Sequence, residues 1–162
     1  MLRRMALCLL AVLCLLTGCT DPELYPEGMT VACKDILLTV PGDFLDLSGE
    51  DYARDAEFLF GHDTLVLQGK AEHKQDLKAM TLAEYTANVI SGNQLSCTPE
   101  ASGNGYIFTY EASVQDTVYT YTTATFEGDS YFWILQFYCP VKNLEENRPE
   151  IEMILESLQK GG

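Results

Sequence analysis

The sequence predicts an α+β domain in which an antiparallel sheet of about six strands is flanked by helices. Several short runs alternate apolar with polar residues, which is typical of strands with one buried face. Two other segments repeat apolar residues at helical spacing. With 162 residues, 47% of them hydrophobic, the chain has enough material for one domain with a buried core.

The first strand is predicted over residues 36–40, where apolar side chains recur at every second position before Pro-Gly ends the run. The acidic stretch 43–55 predicts a surface connection. Apolar runs then stand on either side of Gly61-His62-Asp63, whose residues tolerate a tight turn. The sequence therefore predicts a β-hairpin with His62 at its tip.

Two helices are predicted to cover the sheet. Thr81 and Glu84 form a capping box at the start of the first helix, and Gly92 is predicted to end it in a left-handed conformation. The second helix is predicted over residues 147–159, with Pro149 tolerated in its first turn. Apolar residues at helical spacing predict that both helices pack on the sheet.

The clearest strand pattern lies between the two helices. A short strand is predicted over residues 95–98, followed by an aromatic-rich antiparallel meander over 106–110, 119–121 and 131–138. Residues 131–138 are apolar on both faces, which predicts a central strand. Aromatic residues at this spacing favour a role in the core over a binding surface, although both interpretations stay open.

The order of these elements resembles the PsbP/DcrB-like domains over residues 30–160. The resemblance implies an antiparallel sheet flanked by helices and a domain without catalytic activity. Proteins of this kind include small bacterial envelope lipoproteins, an accessory protein of photosystem II and a nuclear-import factor that binds a small GTPase. No functional residue of these proteins has a matching motif here. The segments that carry the resemblance are Val40-Pro41-Gly42-Asp43-Phe44, Leu82-Ala83-Glu84-Tyr85, the aromatic meander, and the closing helix with Ile151, Ile154 and Ser157-Leu158.

The N-terminal residues have the pattern of a signal peptide. Arg3 and Arg4 precede an apolar run that is too short to span a bilayer. The run ends in Leu16-Thr17-Gly18-Cys19, which resembles the lipobox of bacterial lipoproteins. This resemblance implies that a signal peptidase recognises Leu16, Thr17 and Gly18, and that Cys19 becomes the acylated first residue. Ordinary secretion with Cys19 as a simple thiol is the alternative.

Three segments follow from this interpretation. Residues 1–18 are predicted to be a cleaved signal peptide, residues 19–29 a flexible tether rich in Pro and Gly, and residues 30–160 a single domain. Attached acyl chains would hold the protein to the membrane stably. We therefore expect a lipid-anchored protein on the extracytoplasmic face of the cell membrane.

The charge of the chain argues against nucleic-acid binding. The formal net charge is −14. Arg3 and Arg4 precede Cys19 while all 24 acidic residues follow it, so 8 basic side chains remain and the charge after Cys19 is about −16. Nucleic-acid binding depends on Lys and Arg that neutralise phosphates. No basic cluster stands after Arg4, and we expect no nucleic-acid partner.

The sequence contains no recognisable catalytic, metal or cofactor motif. His62 and His73 have no Cys or second His at ligand spacing, and the acidic stretch 46–51 lacks the pattern of a calcium loop. Neither a nucleophile elbow nor a phosphate-binding loop is present. We therefore expect no catalytic residues, no bound metal and no cofactor.

The remaining cysteines, Cys33, Cys97 and Cys139, are odd in number and form no C-x-x-C pair. They are interpreted as buried thiols, with one disulfide and one spare thiol as the alternative. A catalytic thiol would need a nearby histidine, which the sequence does not place.

These observations predict a lipid-anchored, non-catalytic domain that binds or stabilises another protein of the cell envelope. The alternative is capture of a small ligand, or an unrecognised enzymatic activity, at a pocket formed by surface carboxylates and tyrosines.

Overall fold

A computed structural model describes residues 28–49, 53 and 55–161 of the protein. The described residues form a seven-stranded antiparallel sheet in the order β3-β4-β5-β9-β8-β7-β6, a three-stranded sheet in the order β1-β2-β10, and two α-helices. The strands are β1 (Met29–Cys33), β2 (Ile36–Val40), β3 (Leu45–Asp46), β4 (Phe58–His62), β5 (Leu65–His73), β6 (Glu100–Ser102), β7 (Gly105–Val114), β8 (Thr117–Glu127), β9 (Tyr131–Pro140) and β10 (Gln159–Lys160). The helices are α1 (Leu82–Gly92) and α2 (Leu144–Glu156).

The core lies between the large sheet on one side and the small sheet with α2 on the other. Trp133, Leu135 and Phe137 of β9 point into it and are fully buried, and so is Ile154 of α2. Alternate residues of β2 face them, since Ile36, Leu38 and Val40 are also buried. Burial of these apolar side chains is the main force that holds the two layers together.

The opposite face of the large sheet packs against α1. The ring of Tyr85 stacks on Phe132 with a centroid distance of 4.8 Å. The hydroxyl groups of Thr86 and Thr125 form a buried hydrogen bond of 2.7 Å between the helix and β8. These contacts hold α1 over one end of this face.

The predicted fold class and the aromatic meander are confirmed. Strands β7, β8 and β9 pair in an antiparallel meander, and β9 is the middle strand of the large sheet. The strand number differs from the prediction, because β2 belongs to a separate small sheet. Its partners β1 and β10 were not predicted.

The start of α1 is confirmed, and the helix ends at Gly92 as predicted, but Gly92 does not adopt the predicted left-handed conformation. The Thr81 hydroxyl accepts a hydrogen bond from the Glu84 amide, and the Glu84 carboxylate accepts one from the Thr81 amide at 2.8 Å. At the C-terminus, the side chain of Asn93 donates to the carbonyl of Val89 at 2.8 Å. This side-chain cap replaces the predicted glycine cap, and the left-handed residue is Gln94, with φ of 55°.

The hairpin is present, but the predicted position of its turn is wrong. His62 pairs with Leu65, so it is the last residue of β4 and the turn consists of Asp63 and Thr64. Asp63 adopts the left-handed φ of 42° that aspartate tolerates in such turns. Gly61 lies within the strand for a packing reason, because a Cβ there would lie 2.7 Å from the Leu47 side chain.

Two further predicted boundaries are wrong. A 3₁₀ turn over Val141–Asn143 leads from β9 directly into α2, so this helix begins at Leu144 and Pro149 lies in its second turn. Residues 95–98 form no strand, and the short strand is β6. Strand β1, which was not predicted, begins at Met29, which pairs with Val40.

Asp35, in the turn between β1 and β2, joins the two sheets. Its carboxylate accepts hydrogen bonds from the Trp133 indole N–H at 2.7 Å, the Ser130 amide at 2.6 Å and the Tyr131 amide at 3.2 Å. Burial alone would raise the pKa of Asp35, but these three donors outweigh it and lower the pKa below its ordinary value.

Candidate binding surface

The part of the large sheet beyond α1 carries a row of stacked tyrosines. Tyr110 of β7, Tyr121 of β8 and Tyr138 of β9 are directly opposite one another in the strand register. The rings of Tyr110 and Tyr121 lie 5.0 Å apart and nearly parallel, and those of Tyr121 and Tyr138 lie 5.5 Å apart. All three side chains are half-buried. We call this row, together with Tyr119 beside it, the tyrosine face.

A groove of about 570 Å³ runs along the tyrosine face toward the β4–β5 hairpin. Asp63 is the only charged side chain among the described residues that line it. This low number of charged side chains is notable in a chain with 24 acidic residues, because depletion of charge and enrichment in tyrosine are typical of protein interfaces. The groove is lined by Asp63, Thr64, Val66, Gln68, Val114, Tyr119, Tyr121, Gln136, Tyr138 and Pro140.

Gln136 fixes the arrangement at the centre of the groove. Its side-chain amide donates a hydrogen bond of 2.8 Å to the hydroxyl of Tyr110. Burial raises the pKa of Tyr110, and the neighbouring Tyr121 raises it further. Burial also raises the pKa of Tyr121. The phenols therefore stay neutral at physiological pH and offer apolar rings with hydroxyl groups that donate and accept hydrogen bonds.

The structure divides the predicted aromatic stripe between the core and this surface. Trp133 and Phe137 point into the core, as the strand pattern predicted. The tyrosine face lies on the opposite side of the sheet, where its four tyrosines are half-buried and Tyr119, Tyr121 and Tyr138 line the groove. The core interpretation is therefore confirmed for one side of the sheet, and the other side is a candidate binding surface.

The residues weighed as sites in the sequence have different surroundings. Leu16, Thr17, Gly18 and Cys19 lie outside the described residues. His73 ends β5, where its Nδ1 accepts a hydrogen bond from the amide of Gln75 at 3.2 Å.

Unlike His73, His62 lies beside two carboxylates, those of Asp43 and Glu150. The sequence did not predict this cluster, since the three residues stand in separate segments.

The three later cysteines, Cys33, Cys97 and Cys139, are free thiols. Cys139 is buried, and the other two are half-buried. Burial, followed by the charge of Glu57, raises the pKa of Cys33 and keeps this thiol protonated.

The element order, the two sheets and the two helices define a PsbP-like α+β fold. No family model matches the sequence, and no curated protein matches it. Among the described residues, no helix has the length and apolar character needed to cross a membrane.

Several solved structures are similar to this chain, including the following three. One is the solution structure of cyanobacterial PsbP (CyanoP) from Synechocystis sp. PCC 6803, with a TM-score of 0.55, 8% identity and coverage of 88% of this chain and 98% of that one. The second is LpqN, involved in cell envelope biogenesis of Mycobacterium tuberculosis, with a TM-score of 0.54, 11% identity and coverage of 84% and 91%.

The third is a crystal structure from Bacteroides thetaiotaomicron VPI-5482, with a TM-score of 0.51 and 15% identity over 78% of this chain. The present chain spans 45% of the length of that protein. At these identities the likeness concerns the fold alone.

Proposed function

We propose that this chain is a lipid-anchored protein of the cell envelope whose non-catalytic domain binds another envelope protein through the tyrosine face. The observation that carries the proposal is a groove on a strongly acidic protein that is lined by tyrosines and amides, with Asp63 as the only charged side chain among the described residues that line it. Tyrosine rings supply a large, rigid contact area at low entropic cost. The similarity to LpqN, which is involved in cell envelope biogenesis, is consistent with this setting.

The acidic surface favours a protein partner over other macromolecules. A net charge of −14 repels nucleic-acid phosphates and anionic lipid headgroups. Repulsion of this kind also disfavours acidic proteins at most of the surface, while the groove stays open to an apolar or aromatic segment. The groove is therefore where we expect the partner to dock.

Photocrosslinking in the cells that produce the protein tests this surface. Val114 is 49% exposed at the rim of the groove, and Met153 is equally exposed on α2. We expect a photoreactive residue at position 114 to yield a protein adduct, and the same residue at position 153 to yield none. Tyr121→Ala should reduce the adduct about tenfold, as expected for the loss of a central aromatic contact. Equal adducts at both positions, or none at either, would contradict the proposal.

The anchor has its own test. We expect wild-type protein to carry acyl chains on Cys19 and to sediment with membranes, because acyl chains stabilise membrane attachment by about 0.8 kcal/mol per buried CH₂. Cys19→Ala should leave an unacylated precursor. Mass spectrometry and membrane fractionation measure both effects, with Cys97→Ala as the matched control that keeps the anchor. An acylated Cys19→Ala protein would end the lipoprotein assignment.

A small ligand in the same groove is the second candidate. The side-chain amides of Gln68 and Gln136 both reach the groove, which could orient a polar molecule between aromatic rings. Native mass spectrometry of the purified protein distinguishes a small ligand from a protein partner. A bound small molecule that Tyr121→Ala removes, without a protein adduct from position 114, would favour ligand capture or an associated enzymatic activity.

A further inference from the structure

Asp43, His62 and Glu150 converge from three separate parts of the fold. Asp43 lies in the loop after β2, His62 ends β4, and Glu150 lies in α2. One ligand atom from each residue lies within 4.8 Å of those from the other two. We call these three residues the Asp43–His62–Glu150 cluster.

Two atoms of the cluster are buried without a hydrogen-bond partner. These are Nδ1 of His62 and Oε2 of Glu150, which lie 3.8 Å apart, too far for a hydrogen bond. The other ring nitrogen of His62, Nε2, lies 3.1 Å from the Asp43 carboxylate. Buried polar atoms are rarely left without a partner, so these two atoms are available to bind a ligand.

The surroundings of the cluster are short of positive charge. Burial raises the pKa of Glu150, His62 lowers it, and the carboxylates of Asp43, Asp63 and Glu146 raise it further. No Lys or Arg is found among the described residues that line the adjoining cavity of about 390 Å³. A proton on His62 would balance only one of these negative charges. A divalent cation would balance two.

Two members of the cluster, His62 and Glu150, lie on elements that are held in place by further contacts. The ring of Phe44 stacks on His62 with a centroid distance of 5.5 Å, which restricts rotation of the imidazole. The Asn147 side chain donates a hydrogen bond of 3.2 Å to the Thr64 hydroxyl and ties α2 to the hairpin turn. His62 and Glu150 are 22% and 30% exposed, whereas Asp43 is 51% exposed and has room to move.

We propose that Asp43, His62 and Glu150 bind a divalent transition-metal ion, with Zn²⁺ as the preferred occupant. An imidazole nitrogen with two carboxylates suits zinc better than calcium or magnesium, which prefer all-oxygen ligand sets. Ligands of a tetrahedral zinc ion lie about 3.4 Å apart, given bonds of about 2.1 Å. His62 Nδ1 and Glu150 Oε2, which are 3.8 Å apart, already approach this spacing. Asp43 now lies beside Nε2, so its exposed side chain would have to rotate toward Nδ1 to reach the same ion, and a water molecule would take the fourth position.

The first test is calorimetric titration of ZnCl₂ into full-length protein in detergent, after treatment with EDTA. We expect one zinc ion per chain, at least tenfold weaker binding for His62→Gln, and unchanged binding for His73→Gln, the matched control at the other histidine. Circular dichroism checks that both variants are folded. Unchanged binding in His62→Gln, no zinc binding by wild type, or tighter binding of Ca²⁺ or Mg²⁺ would overturn the proposal.

A second test compares the melting temperatures of Glu150→Gln and wild type. The difference between them should have opposite signs with and without zinc. The Glu150 carboxylate is half-buried near the carboxylates of Asp43, Asp63 and Glu146, and no Lys or Arg is found among the described residues that line the adjoining cavity. Because the glutamine is uncharged and relieves this repulsion, we expect Glu150→Gln to melt above wild type in EDTA at pH 7. In zinc the order should reverse. An equal zinc-induced rise in melting temperature for both proteins would contradict the site.

Cobalt separates this cluster from the thiols as the metal-binding site. Co²⁺ bound by nitrogen and oxygen gives visible d–d bands without the thiolate charge-transfer band that cysteine ligands produce. We expect the former for wild type and its loss in His62→Gln. A thiolate band that survives His62→Gln would place the bound metal at a cysteine and refute the assignment.

Discussion

Trp133→Ala is expected to lower the free energy of unfolding by about 4 kcal/mol, the usual range for truncating a fully buried aromatic residue. The indole is 0% exposed. It stacks between Phe58 and Phe126 at centroid distances of 6.2 Å each. Alanine would leave a cavity between the two sheets that neighbouring side chains only partly fill. Urea denaturation followed by circular dichroism measures the change.

Trp133→Phe is the matched variant for this prediction. Phenylalanine keeps an aromatic ring between Phe58 and Phe126, but it removes the N–H that donates to Asp35 at 2.7 Å. We expect a smaller loss of about 1 to 2 kcal/mol, mainly from the unpaired carboxylate oxygen and the lost volume. A loss below 1 kcal/mol for Trp133→Ala would show that the indole does not join the two layers.

Asp35→Ala is expected to cost about 3 kcal/mol at neutral pH, because three donors lose a charged acceptor. The folded-state pKa of Asp35 is lowered, so the stabilisation is present above the unfolded-state pKa and is lost as pH falls through the folded-state value. The wild-type advantage should therefore shrink as the pH is lowered below about 4. Urea titrations between pH 7 and pH 2.5 measure this dependence.

Asp129→Ala is the control for charge in the same region. Asp129 is 68% exposed and lies 3.6 Å from the Lys160 amine, and exposed ion pairs of this kind contribute little to stability. We expect a change below about 0.5 kcal/mol. If Asp35→Ala and Asp129→Ala cost the same, the hydrogen bonds at Asp35 do not connect the two sheets.

The parts of the fold that the sequence predicted are those with a long, regular pattern. The alternation in β9 shows which residues enter the core, and the capping box at Thr81 marks the start of α1. The small sheet was not predicted because two of its strands leave little signal. Strand β10 has only two residues, and β1 directly follows a Pro/Gly-rich stretch and was not separated from that linker. The predicted start of α2 was wrong because proline is expected in the first turn of a helix, whereas Pro149 lies in the second turn.

The candidate sites were harder to predict for a topological reason. No spacing rule connects Asp43 and Glu150, and the hairpin error placed His62 at an exposed tip. The sequence does contain one indication of the tyrosine face. Gln136 interrupts the apolar residues on the outer side of β9, and a polar side chain in that position indicates that this end of the sheet is open rather than covered.

The entry point of the chain bears on where a partner must be. Met29 pairs with Val40, so the segment that leads to Cys19 joins the domain at the end that carries Asp43. The groove reaches the same end through the β4–β5 hairpin. If Cys19 is acylated as we propose, the ten residue steps from Cys19 to Met29 extend at most about 36 Å. The tyrosine face would then stay close to the bilayer, and the partner that we propose would be a protein embedded in the membrane or bound to its surface.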